Sequence, residues 1–485
     1  MPPAIVCYPG EAYDEAKCNK TLASWFDSNF HAANPISIDS PLWANNSCNP
    51  IYENGTSVAG GPTAGERGCT IGAHPVYAVN ATSADVISTA VKFAAKKNIR
   101  LVVKNTGHSF TGRSTGYGSL SIWTHNLKGF EFHEAWTEQN CTAGNASKPQ
   151  MAATFGAGIQ DREAYALTHE YGAVVSAGSN PSVGLAGWFP SGGHGPLSSS
   201  YGMGADNLLE AKVVLPNGDI VTANACEKSD LFWALRGGGA GTFGTIVEAT
   251  VKAFPSPRTT ISALTVNPLS ENITNLTSQW WEMAAHIHAE LPALKDAGAQ
   301  GYYTMIVPPG APVHTFTFFA YHYNSSNATV TELWSNITNL LEARSDILSH
   351  SFQTFTTPTF FELWNASTGA AFESVANGAS WLTSRLLSRR ALTQDVNDVA
   401  HAFEAAGPIL LGHFIANDKN RGLDIALNPS WRDAVTHLVS VTGWDDKDPP
   451  SLQRQRLDYQ RNVQAYALKQ LDPTAGAYIN EVSSS

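Results

Sequence analysis

Apolar residues recur three and four apart at Val86, Ile87, Ala90, Val91 and Ala94, which marks one buried face of a helix. Ser83 is placed to cap that helix, and Lys96 and Lys97 suit the dipole of its last turn. The run Arg100–Val103 reads as a strand, so the two form a β/α unit. A second helical pattern covers 159–171 and leads into the strand-like Ala173-Val174-Val175. Leu209–Leu215 and Ile220–Thr222 flank Pro216-Asn217-Gly218-Asp219 and predict a hairpin. Ser229 or Asp230 starts a short helix, Leu231–Leu235, and Thr245–Lys252 reads as a strand. Past Pro255-Ser256-Pro257, strands such as Thr315–Tyr321 alternate with amphipathic helices. There Val330, Leu333, Trp334, Ile337, Leu340 and Leu341 share a face of core type. A last helix over 452–470 leads to Tyr478-Ile479-Asn480-Glu481. The pattern divides the chain into an irregular Pro-, Asn-, Gly- and Ser-rich arm (1–70), a body (71–255), a second domain (256–450) and a closing segment (451–485).

With 485 residues, more than one domain is expected, and 43% hydrophobic content supports large cores. No run is long and apolar enough to cross a bilayer. Thirty Lys+Arg against 41 Asp+Glu give a net charge of -11 with no basic stripe, so nucleic acid and anionic membranes are poor partners. A monomer is expected. Cys7, Cys18, Cys48, Cys69, Cys141 and Cys226 contain no CxxC pair, and no metal site is expected. Four of these cysteines fall in the arm, where disulfides would staple it. Glycosylation sequons begin at Asn19, Asn45, Asn54, Asn80, Asn140, Asn145, Asn272, Asn275, Asn324, Asn327, Asn336 and Asn365, which points to secretion. No signal-peptide pattern precedes them, so Met1 reads as the start of a mature or engineered chain.

Two loops carry the candidate chemistry. Lys104-Asn105-Thr106-Gly107-His108-Ser109-Phe110-Thr111-Gly112-Arg113-Ser114-Thr115-Gly116 leaves a strand end with three glycines and many hydroxyls around one histidine, as an anion nest would. Residues 177–198 hold no charge and six glycines, which leaves backbone amides, hydroxyls and apolar surface for a large, partly aromatic, phosphate-bearing cofactor. Gly239-Ala240-Gly241-Thr242-Phe243-Gly244 fits GxGxxG but follows a helix and opens a strand, the reverse of a dinucleotide fingerprint. Gly112-Arg113-Ser114-Thr115-Gly116 fits GxSxG but is followed by a strand-like segment, which disfavours a serine nucleophile.

Together the motifs resemble the vanillyl-alcohol-oxidase/p-cresol-methylhydroxylase superfamily and, within it, the berberine-bridge-enzyme-like flavoproteins. The resemblance spans about 70–481. It rests on Lys104-x-x-Gly107-His108-Ser109, on Val183-Gly-Leu-Ala-Gly187 with Gly192-Gly193-His194-Gly195, on Asp230-Leu-Phe-Trp-Ala-Leu-Arg-Gly-Gly-Gly239 with Phe243-Gly244, and on Tyr478-Ile-Asn480-Glu481. It implies an α+β fold, with a two-part FAD-binding domain (71–255) roofed by an antiparallel-sheet substrate domain flanked by helices (256–450). The segment 451–485 returns to the FAD domain without the family's usual C-terminal extension.

The resemblance implies FAD joined to His108. Lys104, Asn105, Thr106, Gly107 and Ser109 would cradle the pyrophosphate, with Gly112 and Ser114 beside them. Asn180, Ser182, Val183, Gly187, Gly192, Gly193, His194 and Gly195 would lie along the ring edge and ribityl chain. Gly244, Ile246 and Val247 would meet the adenine, and Asn480 would contact the cofactor too. The chain departs from the pattern in three side chains as well as at its end. Asn180 stands where many members carry a second, cysteinyl flavin link, Phe110 replaces a tyrosine, and Glu481 replaces the second tyrosine of the closing motif. Attachment through His108 alone is therefore expected. The implied activity is a secreted oxidase that takes hydride from an alcohol-type substrate, a sugar or secondary metabolite, and passes electrons to oxygen to give peroxide. Glu481 and Tyr478, on a strand expected to face the flavin, are the base candidates, and His413 in Leu411-Gly-His-Phe-Ile is a weaker one, because a lone histidine in an apolar strand is more often a core residue. A dehydrogenase with another acceptor and a flavin-carrying binding protein are the alternatives.

Overall fold

Three sheets organise the chain in the computed structural model, which describes residues 1–138, 141, 148–270, 276–307, 314–367, 375–376 and 379–482. Tyr77–Asn80, Leu120–Trp123 and Leu101–Lys104 form a small parallel sheet with Leu120–Trp123 in the middle. The helix Ala84–Lys97 packs on it through Ile87, Ala90, Val91 and Ala94. The Ser83 side chain accepts from the Val86 N–H, and Asn98, left-handed at φ 51°, ends the helix.

Phe130–Trp136, Gln150–Gly156, Thr245–Pro255, Leu208–Val214 and Ile220–Asn224 follow one another in an antiparallel sheet, with Ala173–Val175 added along Thr245–Pro255. The third sheet is antiparallel and seven-stranded: Leu348–Thr357, Thr259–Pro268, Thr315–Tyr323, Gln300–Ile306, Ile409–Phe414, Ala434–Trp444 and Ala379–Ser388. The period-two alternation of strands gives it two faces. Leu264, Phe316, Phe318, Leu410 and Leu438 face a core shared with the helices Leu276–Asp296, Val396–Ala406 and Ala465–Leu471. Leu411, His413 and Val439, one position out of step, face a cavity.

Three local expectations change. The arm carries helices, Glu15–Ser24 and Ser28–Ala32, begun by the side chains of Asp14 and Asp27, which accept from the N–H groups of Lys17 and Asn29. Disulfides join Cys7 to Cys18 and Cys48 to Cys69 within the arm, and Cys141 to Cys226 in the body. The last helix is interrupted by a π-turn, Gln460–Gln464, whose buried Gln460 and Gln464 bond to the Trp381 carbonyl and the Thr442 hydroxyl. Tyr478-Ile479-Asn480-Glu481 is not a strand: Ile479–Glu481 is a 3-10 turn closed by the Glu481 N–H on the Tyr478 carbonyl. A strand would send Tyr478 and Glu481 to opposite faces, whereas residues three apart in a 3-10 turn share one. Among the described residues, no helix is long and apolar enough to cross a membrane.

Candidate active site

The glycine-rich loop after Leu101–Lys104 turns through Gly107 at φ 108°, where an added Cβ would meet the arm backbone at Ile38. That turn sets His108 against the arm. Its Nδ1 lies 3.0 Å from Asp39 Oδ2 and its Nε2 lies 2.7 Å from Ser182 Oγ. Asp39 is buried and accepts from the Ser28 hydroxyl at 2.8 Å. Burial would raise its carboxyl, but the charge and hydrogen bond of His108 outweigh that and hold it below the usual carboxylate range. Ser182 Oγ also stands 2.9 Å from Asn180 Oδ1. Asn480 clamps the loop from the other end of the chain, accepting from the Phe110 N–H and donating to the His108 carbonyl.

A cavity of about 1420 Å³ runs from an apolar end, among Val91, Leu101, Val214 and Pro216, past these loops to the roof sheet. Of the candidate residues, it is lined by Asn105, Thr106, Gly107, His108, Ser109, Ser114, Asn180, Val183, Gly187, His194, Gly244, Ile246, His413, Tyr478, Asn480 and Glu481. Seven others stand behind the lining. Lys104 is fully buried, and its ammonium donates to the His31 and Asn34 carbonyls, tying the arm to the sheet. Burial lowers its pKa to about 7. Gly112 makes room for the Trp43 ring, and Gly193 for Trp188. Gly195 lies against the Ala177 carbonyl and Gly192 against Leu427. Val247 packs in the core beneath Ala84–Lys97, and Ser182 reaches the site through His108.

At the roof, His413 and His437 are paired across adjacent strands, and Tyr302 is paired with His413 on the other side. The 3-10 turn points Glu481 at them. Glu481 Oε2 lies 3.2 Å from His413 Nδ1 and 3.4 Å from His437 Nδ1, and those two nitrogens are 3.3 Å apart. Glu481 Oε1 lies 3.3 Å from His194 Nε2, whose Nδ1 faces the Tyr302 hydroxyl at 3.4 Å. Burial opposes the Glu481 charge, yet the imidazoles of His413 and His194 hold its carboxyl well below the usual range. His437, fully buried, has its pKa pushed well below the usual histidine range by burial. The Tyr478 phenol is pushed up by burial first and by the Glu481 charge second. His413 had the look of a core histidine in an apolar strand, but it faces the cavity instead.

The lining suits FAD. Asn105 Oδ1 and the carboxyl oxygens of Asp161 are buried without a well-formed hydrogen-bond partner in the protein. Burial also holds the Asp161 carboxyl well above its usual pKa. Such groups fit a ligand with a polar edge, and the loops offer backbone amides beside them. Asp39, Asp161, Tyr302 and His437 escape sequence reading. Asp39 and Asp161 sit in no motif, and Tyr302 and His437 occupy ordinary alternating strand positions.

Residues 75–224 match a family model described as an FAD binding domain. The chain is 32% identical to the FAD-linked oxidoreductase sor8 of Hypocrea jecorina, over 99% of this chain and 78% of that one. It is similar to a solved structure of the VAO-type flavoprotein MtVAO713 from Myceliophthora thermophila C1, with TM-score 0.90 and 30% identity over 100% of this chain and 85% of that one. The fold also matches berberine bridge enzyme, with TM-score 0.65 at 16% identity over 98% of this chain and 85% of that one.

Proposed function

The chain belongs to the FAD-linked, VAO-type oxidoreductases, and from that premise we propose that it is a secreted oxidase of an alcohol-type substrate, a sugar or secondary metabolite. FAD, when bound, supplies the two-electron chemistry: hydride from the carbinol carbon is taken up and delivered to oxygen, which with the hydroxyl proton leaves a carbonyl product and hydrogen peroxide. His108 is the attachment residue, and Asp39 orients its ring through Nδ1 in the way a carboxylate orients a ligating histidine. No thiol stands at Asn180, so the attachment is single.

The observation that carries this reading is that one cavity is lined both by His108 and by Glu481, a carboxyl that neighbouring imidazoles hold well below its usual range. Glu481 accepts the substrate hydroxyl proton, and His194 and His413 keep it anionic in a buried place. Tyr302 and Tyr478 border the same space and shape where the substrate lies. Val183, at the cavity wall, leaves oxygen a way in, because a β-branched side chain fills less depth there than leucine.

Secretion is supported by three disulfides and by the eight sequon asparagines among the described residues. Asn19, Asn45, Asn54, Asn80, Asn324, Asn327, Asn336 and Asn365 are all exposed. The other four, Asn140, Asn145, Asn272 and Asn275, lie outside the described residues. Peroxide release is the decisive test, measured with a peroxidase-coupled dye across sugars, phenolic alcohols and alkaloid-like amines. Anaerobic flavin bleaching without peroxide in air would replace the oxidase by a dehydrogenase, and no bleaching by any of them would favour a binding protein.

A further inference from the structure

Glu481 Oε2, His413 Nδ1 and His437 Nδ1 form a triangle with edges of 3.2, 3.3 and 3.4 Å. Ligands held about 2.0–2.1 Å from a tetrahedral zinc-class ion stand about 3.3 Å apart, so the triangle has the dimensions of one tetrahedral face. His194 Nε2 supplies a fourth donor, 3.3 Å from Glu481 Oε1, and the four donor atoms all lie within 4.8 Å of one another. Hydrogen bonding accounts for only part of this convergence: His413 and His437 can share one through their Nδ1 atoms, and His194 Nε2 can bond Glu481 Oε1. Glu481 Oε2 has two imidazole nitrogens at hydrogen-bond distance but no hydrogen bond of proper geometry from either. The two facing Nδ1 atoms also need a proton between them to avoid lone-pair repulsion, and a cation would remove that need. Among the described residues this is the one such grouping of histidine, cysteine and carboxylate donors.

We propose that His194, His413, His437 and Glu481 bind a divalent transition-metal ion of the zinc class. Three imidazoles and one carboxylate suit such an ion over magnesium or calcium, which prefer all-oxygen shells. The donors come from the loop before Ser198, from two neighbouring strands of the roof and from the closing turn, so the ion ties four separate parts of the chain together on the Glu481 side of the cavity. Resting on the reading of Glu481 as proton acceptor, a consequence follows: with the ion bound, Glu481 is a ligand, and metal and substrate proton compete for it.

The test uses the holoprotein, stripped with EDTA, dialysed, and titrated calorimetrically with zinc chloride, with magnesium chloride as the control. About one zinc per chain is expected, with no magnesium binding. His437→Asn and His413→Asn should each weaken binding by more than about 100-fold, beyond the loss seen when only an outer partner of a ligand is removed. His437→Asn is buried and is the harsher change; if it fails to fold, His413→Asn at the cavity wall decides. Zinc should also slow anaerobic flavin reduction, with EDTA restoring it. No stoichiometric zinc uptake, or unchanged uptake in the folded variant, overturns the site. Uptake without any effect on reduction would keep the site and refute Glu481 as the base.

Discussion

The two walls of the cavity are built differently. The His108 wall hangs largely on one stretch of thirteen residues, with Asn180 and Ser182 added from one further loop. The Glu481 wall is gathered from four places in the chain, His194, His413, His437 and Glu481, and holds together through strand register and a single turn. The first wall depends on local backbone geometry, above all Gly107. The second depends on a register in which a slip of one residue would send His413 and His437 into the core. The difference shows where sequence motifs end: a site built from one loop is written in one loop, and a site built from pairing is not.

The largest break in the comparison comes from His108→Ala. All flavin should then appear in the acid supernatant after denaturation, whereas the native protein keeps it, and flavin should map to the His108 peptide alone. A second flavin adduct on a cysteine peptide would show that the Asn180 loop is misread. Next is Glu481→Gln, which should lower the rate of flavin reduction by about 10²–10⁴-fold, the usual contribution of a general base, while covalent attachment survives. Loss of both at once would mean that the two walls are not independent. Asp39→Asn should slow attachment by about 10–100-fold and leave the reduction of already attached flavin little changed, as judged by in-gel fluorescence over time.

A smaller effect is expected from Val183→Leu. Reoxidation of the reduced flavin in air should slow by roughly tenfold, because one more methylene closes a gap already filled to interior density. Anaerobic reduction should hardly change. The smallest effect concerns Lys104, whose folded pKa of about 7 lies below its value of 10.5 in the unfolded chain. Between those values the unfolded state binds the extra proton, so this group makes stability rise with pH from about 7 upward. Urea midpoints of the native protein should therefore gain on those of Lys104→Met from pH 7 to pH 10. A constant difference would show that the buried ammonium stays charged throughout.

Much of the fold can be read in advance because its helices and strands keep clean periods. The Ser83 cap, the hairpin around Asn217-Gly218 and the strand after Gly244 all follow from local chemistry. The arm reads as irregular because its caps, Asp14 and Asp27, begin helices of only 10 and 5 residues, too short to show a stripe. His437 is the harder case. It sits between Thr436 and Leu438 in a strand whose neighbours are nearly all buried, so nothing in its own surroundings separates a functional histidine from a packed one. What sets it apart is the residue across the ladder, His413, which lines the cavity. Tyr478-Ile-Asn-Glu481 is legible as a motif but reads as a strand rather than the turn it is, since four residues cannot distinguish the two without the partners that Asn480 and Glu481 reach in opposite directions.

On the proposed attachment at His108, the arm's place behind that residue would tie cofactor loading to the oxidative maturation of the chain. Asp39 lies between the two staples of the arm, and Lys104 and Trp43 fasten that segment to the body through the His31, Asn34 and Phe110 carbonyls. A chain made where thiols stay reduced would lack the staples, and its histidine would wait without the carboxylate that readies it. Yellow colour that survives denaturation would then be a record of the chain's passage through an oxidising compartment, written before any substrate is met.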